Sequence, residues 1–237
     1  MTAAPSAANR FLRHSTVVSG VVAVILGAVA VGLIAETTLQ RQFLMGALIG
    51  VSTFGLGGRL WHRWRGAVGL GLVVCGCLVV TAAAGNAVTQ PPRIIHRLEL
   101  LPGILGLWTL AAALVPIGFR WSRLLIAVGS GLLFVAVLTS GVVRGASTTA
   151  LVVAAAATIL AWDAAENAVS LGVQVGAHPE TVTVRGELAH VMLSGGLAAG
   201  AVVAVLGVTH LGVDSLPFEA LVALLVAGVV LLLASHR

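Results

Sequence analysis

The side chains with chemistry to offer are few, and most of them gather in one stretch. Asp163, Glu166, Asn167, Ser170 and Gln174 follow one another at spacings of 3, 1, 3 and 4, while Ala164, Ala165, Val169, Leu171 and Val173 fall between them. On a helix this spacing aligns the polar residues along one face and leaves the opposite face apolar. After a turn at Ala177, His178 and Pro179, Glu187 and His190 stand at i and i+3 and share a face of the next helix. A carboxylate and an imidazole at that spacing form half of a dinuclear metal set. With Asp163 and Glu166 offered by the preceding helix, four ligands would then meet at one rim and serve an intramembrane enzyme. The plainer reading is a charged helix start, where Glu187 complements the positive end of the helix dipole. No Gly-rich phosphate loop, GxSxG elbow or HExxH motif occurs, so neither a cofactor nor a catalytic residue is expected.

The elements that carry these residues are dictated by solvent. Hydrophobic residues make up 59% of the 237 positions, charged residues only 9%, and the mean hydropathy is +1.09. Such a chain is read as a membrane protein, because segments of roughly 20 apolar residues cross about 30 Å of hydrocarbon only as helices. The expected fold is all-α, a polytopic transmembrane bundle. It has about eight spans, near 16–35, 42–58, 66–85, 98–118, 122–141, 147–170, 188–210 and 217–235. Residues 1–15 form a flexible cytoplasmic N-terminus. The apolar run from Thr16 to Ala35 exceeds the 7 to 15 residues of a signal peptide and is taken as the first span. Residues 16–237 form a single domain that includes a cytoplasmic amphipathic helix and turn at about 163–187.

All thirteen basic residues are arginine. With the N-terminus in the cytoplasm, Arg10, Arg13, Arg59, Arg63, Arg65, Arg120, Arg123, Arg185 and Arg237 lie inside and Arg41, Arg93, Arg97 and Arg144 outside, which puts both termini in the cytoplasm. Trp61, Trp64 and Trp121 beside Arg59, Arg63, Arg65, Arg120 and Arg123 look like interface anchors, with the rings at headgroup level and the guanidinium groups at lipid phosphate. The arginines never form a basic face with interleaved aromatics, so no nucleic acid is expected despite the net charge of +5. Cys75 and Cys77 diverge on a helix, and neither a disulfide nor a metal pair follows. Trp61, Arg63, Ala67, Val68, Gly69, Gly71 and Leu72 recur 60 residues later as Trp121, Arg123, Ala127, Val128, Gly129, Gly131 and Leu132, a hint of a parallel hairpin repeat such as some transporters show.

The pattern Trp162-Asp163, Glu166-Asn167, Leu171-Gly172, Gln174 and Gly176, with Thr181 or Thr183 and then Glu187 and His190, resembles a family of uncharacterised multi-spanning proteins from haloarchaea and other high-GC prokaryotes. Members are often encoded near MoxR-type AAA ATPases and their membrane or von Willebrand-like companions. The resemblance covers about 30 residues and implies a membrane component of a larger assembly, with no demonstrated catalytic residue.

The expected function is therefore a non-enzymatic scaffold or assembly subunit in the plasma membrane. Its docking face would be Asp163, Glu166, Asn167, Ser170, Gln174, Glu187 and His190. Its partners would be the bilayer, cytoplasmic proteins such as a MoxR-type ATPase system, and a second copy of the chain. The rival is a small-solute or ion transporter that uses the polar face of span six. Two placements of that face fit the sequence. In one the helix leaves the bilayer near Trp162, and in the other it continues inside with its carboxylates facing the bundle interior.

Overall fold

A computed structural model describes residues 16–64, 66–90, 94–115, 119–175 and 184–210. These form seven helices: α1 (Val17–Ile34), α2 (Thr38–Trp64), α3 (Ala67–Thr89), α4 (Ile94–Leu114), α5 (Phe119–Thr139), α6 (Thr148–Val175) and α7 (Val184–His210). Among the described residues no strand occurs. Five of the helices are long and apolar enough to cross a bilayer, and α1 and α4 contribute shorter apolar stretches. The fold is that of a multi-pass membrane protein. The first seven expected spans correspond to the seven helices in order, and the eighth, at 217–235, lies outside the described residues, as do residues 1–15.

The helix ends explain where the expected boundaries shift. The apolar pattern begins span two near residue 42, yet α2 starts at Thr38 because Thr37 and Gln40 form a reciprocal capping box. The Gln40 amide N–H donates to Thr37 Oγ1 at 3.1 Å, and Gln40 Oε1 accepts from the Thr37 and Glu36 amides at 3.1 and 2.9 Å. Gln40 is only 2% exposed, so this cap is built into the packing. A π-helical turn, Ser140–Arg144, follows α5, and Gly145 closes it at φ 68°, where its N–H reaches the carbonyls of Gly141 and Ser140.

Contacts divide the chain into two units, Met1–Ala199 and Gly200–Arg237. In the second, residues 200–210 are helical. The first contains two antiparallel hairpins, α2–α3 and α4–α5, each joined at its glycines. A Cβ at Gly50 would stand 2.9 Å from the Val80 amide nitrogen, one at Gly57 2.6 Å from that of Val73, and one at Gly76 2.7 Å from the Gly50 carbonyl. The α2 and α3 backbones therefore touch, as small residues permit in lipid. Gly106 and Gly129 bring α4 and α5 together in the same way, with a Cβ at Gly129 falling 2.9 Å from the Leu110 nitrogen. The core runs through Ala23, Val31, Ala47, Val51, Val80, Leu100, Ile104, Leu107, Leu110, Ile126, Leu133, Ala161 and Ala165.

The offset-60 recurrence does not fall on equivalent places. Trp61 lies in the last turn of α2, just before α3, whereas Trp121 lies in the first turn of α5, so the hairpin turns differ in position by about nine residues. Of the matching glycines, Gly69 and Gly129 each lie against a neighbouring helix, whereas a Cβ at Gly71 or Gly131 would meet nothing within 4 Å.

Candidate functional site

The polar residues come together at one end of the first unit, where α1, α5 and α7 begin and α6 nears its C-terminus. Helix α6 is a single helix of 28 residues, about 42 Å long at 1.5 Å per residue, and so exceeds the roughly 30 Å of hydrocarbon. Its polar face turns toward α1, α5 and α7.

Three sets of contacts build the cluster. The most buried carboxylate is Glu187, 5% exposed, whose Oε2 accepts from the Ser19 amide at 3.2 Å and the Ser19 hydroxyl at 3.3 Å. Asn167 Nδ2 donates to the same hydroxyl at 3.3 Å, and the Thr16 amide donates to the Ala168 carbonyl at 3.1 Å. Ser19 is the third residue of α1, so its amide is one of the four that a helix start leaves without a partner. The N-cap residue Thr16 makes no side-chain cap, and its hydroxyl is buried without a partner. Glu187 therefore caps α1 from a different helix while sitting in the first turn of its own. Both positive helix ends favour a carboxylate there.

One helical turn farther into the bundle, about 6 Å along α6 from Asn167, His190 Nε2 lies 3.1 Å from Asp163 Oδ2, with both side chains 40% exposed. On the α5 side, Arg123 Nε stands 3.8 Å from Glu166 Oε2, a loose and largely exposed pair.

The expected docking residues are thus placed as follows. Asp163, Glu166, Asn167, Glu187 and His190 are joined to one another's helices or to α1 and α5. Ser170 is half-buried, and the side chain of Gln174 lies outside the described residues. The four candidate metal ligands do not converge, because Glu187 turns to α1, Glu166 to Arg123, and only Asp163 and His190 meet. Among the described residues no group of three or more His, Cys, Asp or Glu side chains could hold a metal ion. Of the interface anchors, Arg59 and Trp61 are exposed at the end of α2, and Trp121 and Arg123 at the start of α5. The side chains of Arg63, Trp64, Arg65 and Arg120 lie outside the described residues. Sequence reasoning missed Ser19, a single hydroxyl in an apolar run whose role depends on an amide it shares with every helix start.

Past His190, α7 changes character. From Val191 to Ala199 no residue is buried, and Met192, Leu193 and Leu197 are 73, 68 and 70% exposed. The other four long apolar helices bury 22 to 39% of their spanning windows. Gly195 and Ala199 stand four apart on this stretch, and a Cβ at Gly195 or Gly196 would meet nothing within 4 Å.

Comparison with known proteins finds one relation. Residues 93–232, which include α4 to α7 and the whole Trp162–His190 stretch, match a family of unknown function, DUF7519. No curated protein and no solved structure matches the chain.

Proposed function

The chain belongs to the DUF7519 family, whose function is unknown, and from that premise we propose that it is a non-enzymatic assembly subunit of the membrane, joined to another subunit through α7. The observation that carries this reading is the stretch Val191–Ala199, which is anchored at one end by Glu187 and His190 but buries no residue of its own. In lipid, helices associate through close packing over small residues rather than through hydrophobicity, and the Gly195/Ala199 pair offers that approach. The polar cluster acts in this reading as the clasp that holds the start of α7 to α1 and α6. Eight spans with both termini in the cytoplasm fit the arginine distribution and place the clasp at the cytoplasmic rim. Association with a MoxR-type ATPase system would then use that rim, and the bilayer part of the assembly would use α7.

The test is the mass of the protein extracted in nanodiscs. A species larger than one chain for wild type, reduced to one chain by Gly195→Leu or Gly196→Leu, supports the proposal. A Cβ at either position would meet nothing within 4 Å, so both variants are expected to keep the fold, which circular dichroism checks. A single chain for wild type removes it.

A second reading has its own support. Asp163 and His190 pair a turn inside the rim, on helices apolar enough to span a bilayer, and ionisable residues at such depth commonly serve ion or solute pathways. Flux through reconstituted vesicles that is lost in Asp163→Asn, with folding retained, would favour transport. Absence of flux for protons and common cations would leave assembly as the better account.

A further inference from the structure

Helices α1 and α2 are joined by three residues and stay close where they connect, with Leu44 Cδ2 3.7 Å from where a Cβ on Gly32 would lie. Toward the other end they separate. Helix α4 packs between them there. Leu114 lies against Gly20 of α1, and a Cβ on Gly58 of α2 would come within 2.7 Å of Val115. The result is a cleft of about 440 Å³ with α1 and α2 as walls and α4 as floor. Its volume falls within the range of small-ligand sites.

The lining is graded. Val51 on the α2 wall and Ala111 on the α4 floor are buried, at 3 and 5% exposure, and Val21, Ile25 and Leu56 stand at the open lips, 45 to 58% exposed. Ser52 and Gly55 line the α2 wall, and at Gly55 an added Cβ would meet nothing within 4 Å. Among the described residues the only charged group on the lining is Arg59, at the end where α2 finishes. From Val51 to Arg59 the α2 wall measures about 12 Å. Arg59 is exposed, and among the described residues no carboxylate pairs with it.

We infer that this cleft binds one anionic phospholipid, with an acyl chain against Val51, Gly55 and Ala111 and the phosphate on the Arg59 guanidinium. The cleft opens sideways in a chain whose solvent is lipid, so the apolar occupant at hand is an acyl chain. A planar guanidinium at the polar end of an apolar slot is the complement of a phosphate. One charged end and one apolar trough match the two parts of a phospholipid and no water-soluble anion. Its lining shares no residue with the polar cluster or the α7 face, so it does not depend on the assembly reading.

Purified full-length protein is titrated with phosphatidylglycerol, phosphatidylcholine or inorganic phosphate, and retained lipid is read by native mass spectrometry alongside thermal unfolding. Phosphatidylglycerol is expected to bind about tenfold more tightly than phosphatidylcholine, the low end for an exposed charge-assisted contact. Inorganic phosphate should leave the unfolding temperature unchanged. Arg59→Gln should remove the preference between the two lipids. Gly55→Leu should fill the trough and reduce retention of both, whereas Gly71→Leu, which also enters open space but on α3, should retain wild-type binding. Equal affinity for the two lipids, retention unchanged in Gly55→Leu, or stabilisation by inorganic phosphate alone would overturn the inference.

Discussion

The contact between Glu187 and Ser19 allows the sharpest test of how the bundle holds its polar end. Glu187→Ala removes the only acceptor that the Ser19 amide has among the described residues, and that amide sits at a helix start where no intrahelical carbonyl can replace it. Leaving a buried N–H unsatisfied costs about 1–3 kcal/mol, and losing a carboxylate at a helix N-terminus adds about 0.5–1 kcal/mol. At 5% exposure, water cannot readily take the place of the carboxylate. The expected loss is therefore about 1.5–4 kcal/mol. Glu187→Gln keeps an acceptor oxygen of the same shape and should cost about 1 kcal/mol, chiefly the dipole contribution. Ser19→Ala leaves the amide bond in place and should cost about 0.5–1.5 kcal/mol. Reversible unfolding in mixed micelles, followed by circular dichroism, would order the variants. The double mutant should lose about 1 kcal/mol less than the sum of the two single losses. Glu187→Ala within about 0.5 kcal/mol of wild type would refute the capping account, since surface changes without a structural role fall in that range.

Other substitutions test the packing. Gly76→Ala should destabilise by about 1–3 kcal/mol or more, because its Cβ would press on the Gly50 carbonyl. Gly71→Ala on the same helix meets nothing within 4 Å and should be neutral or stabilising by up to about 1 kcal/mol in the same unfolding assay. Gly145→Ala, at φ 68°, should cost about 1–2 kcal/mol from the left-handed backbone alone. His190→Ala should cost no more than about 1 kcal/mol, because the Asp163 pair is 40% exposed. A loss above about 3 kcal/mol would instead mark it as a buried pair.

What the sequence made legible follows from which forces act locally. Seven helices were readable because twenty apolar residues in lipid have one backbone solution, and their order matches the expected spans. The shared face of Asp163, Glu166 and Asn167 followed from helical spacing alone. The partners of that face did not. Periodicity says that Glu187 and His190 project together, but Glu187 bonds to α1 while His190 reaches α6, since the two side chains lie about one turn apart along a crossing helix. The four-ligand convergence failed for that reason. The lipid cleft was likewise invisible, because it depends on α1 and α2 separating over α4, a long-range geometry that no local pattern encodes. The start of α2 was within reach, since Thr37 and Gln40 carry the capping-box spacing.

The measurement that bears most directly on the assembly role is photo-crosslinking in intact membranes from positions 193 and 197 on α7, with positions 74 and 78 on α3 as controls. Leu193, Leu197, Val74 and Leu78 are all exposed, but the α3 residues share their helix with a face packed on α2. A discrete protein-sized adduct from positions 193 and 197, with only lipid adducts from 74 and 78, is the expected result. Adducts from α7 confined to lipid, or to the same chain, would contradict the account.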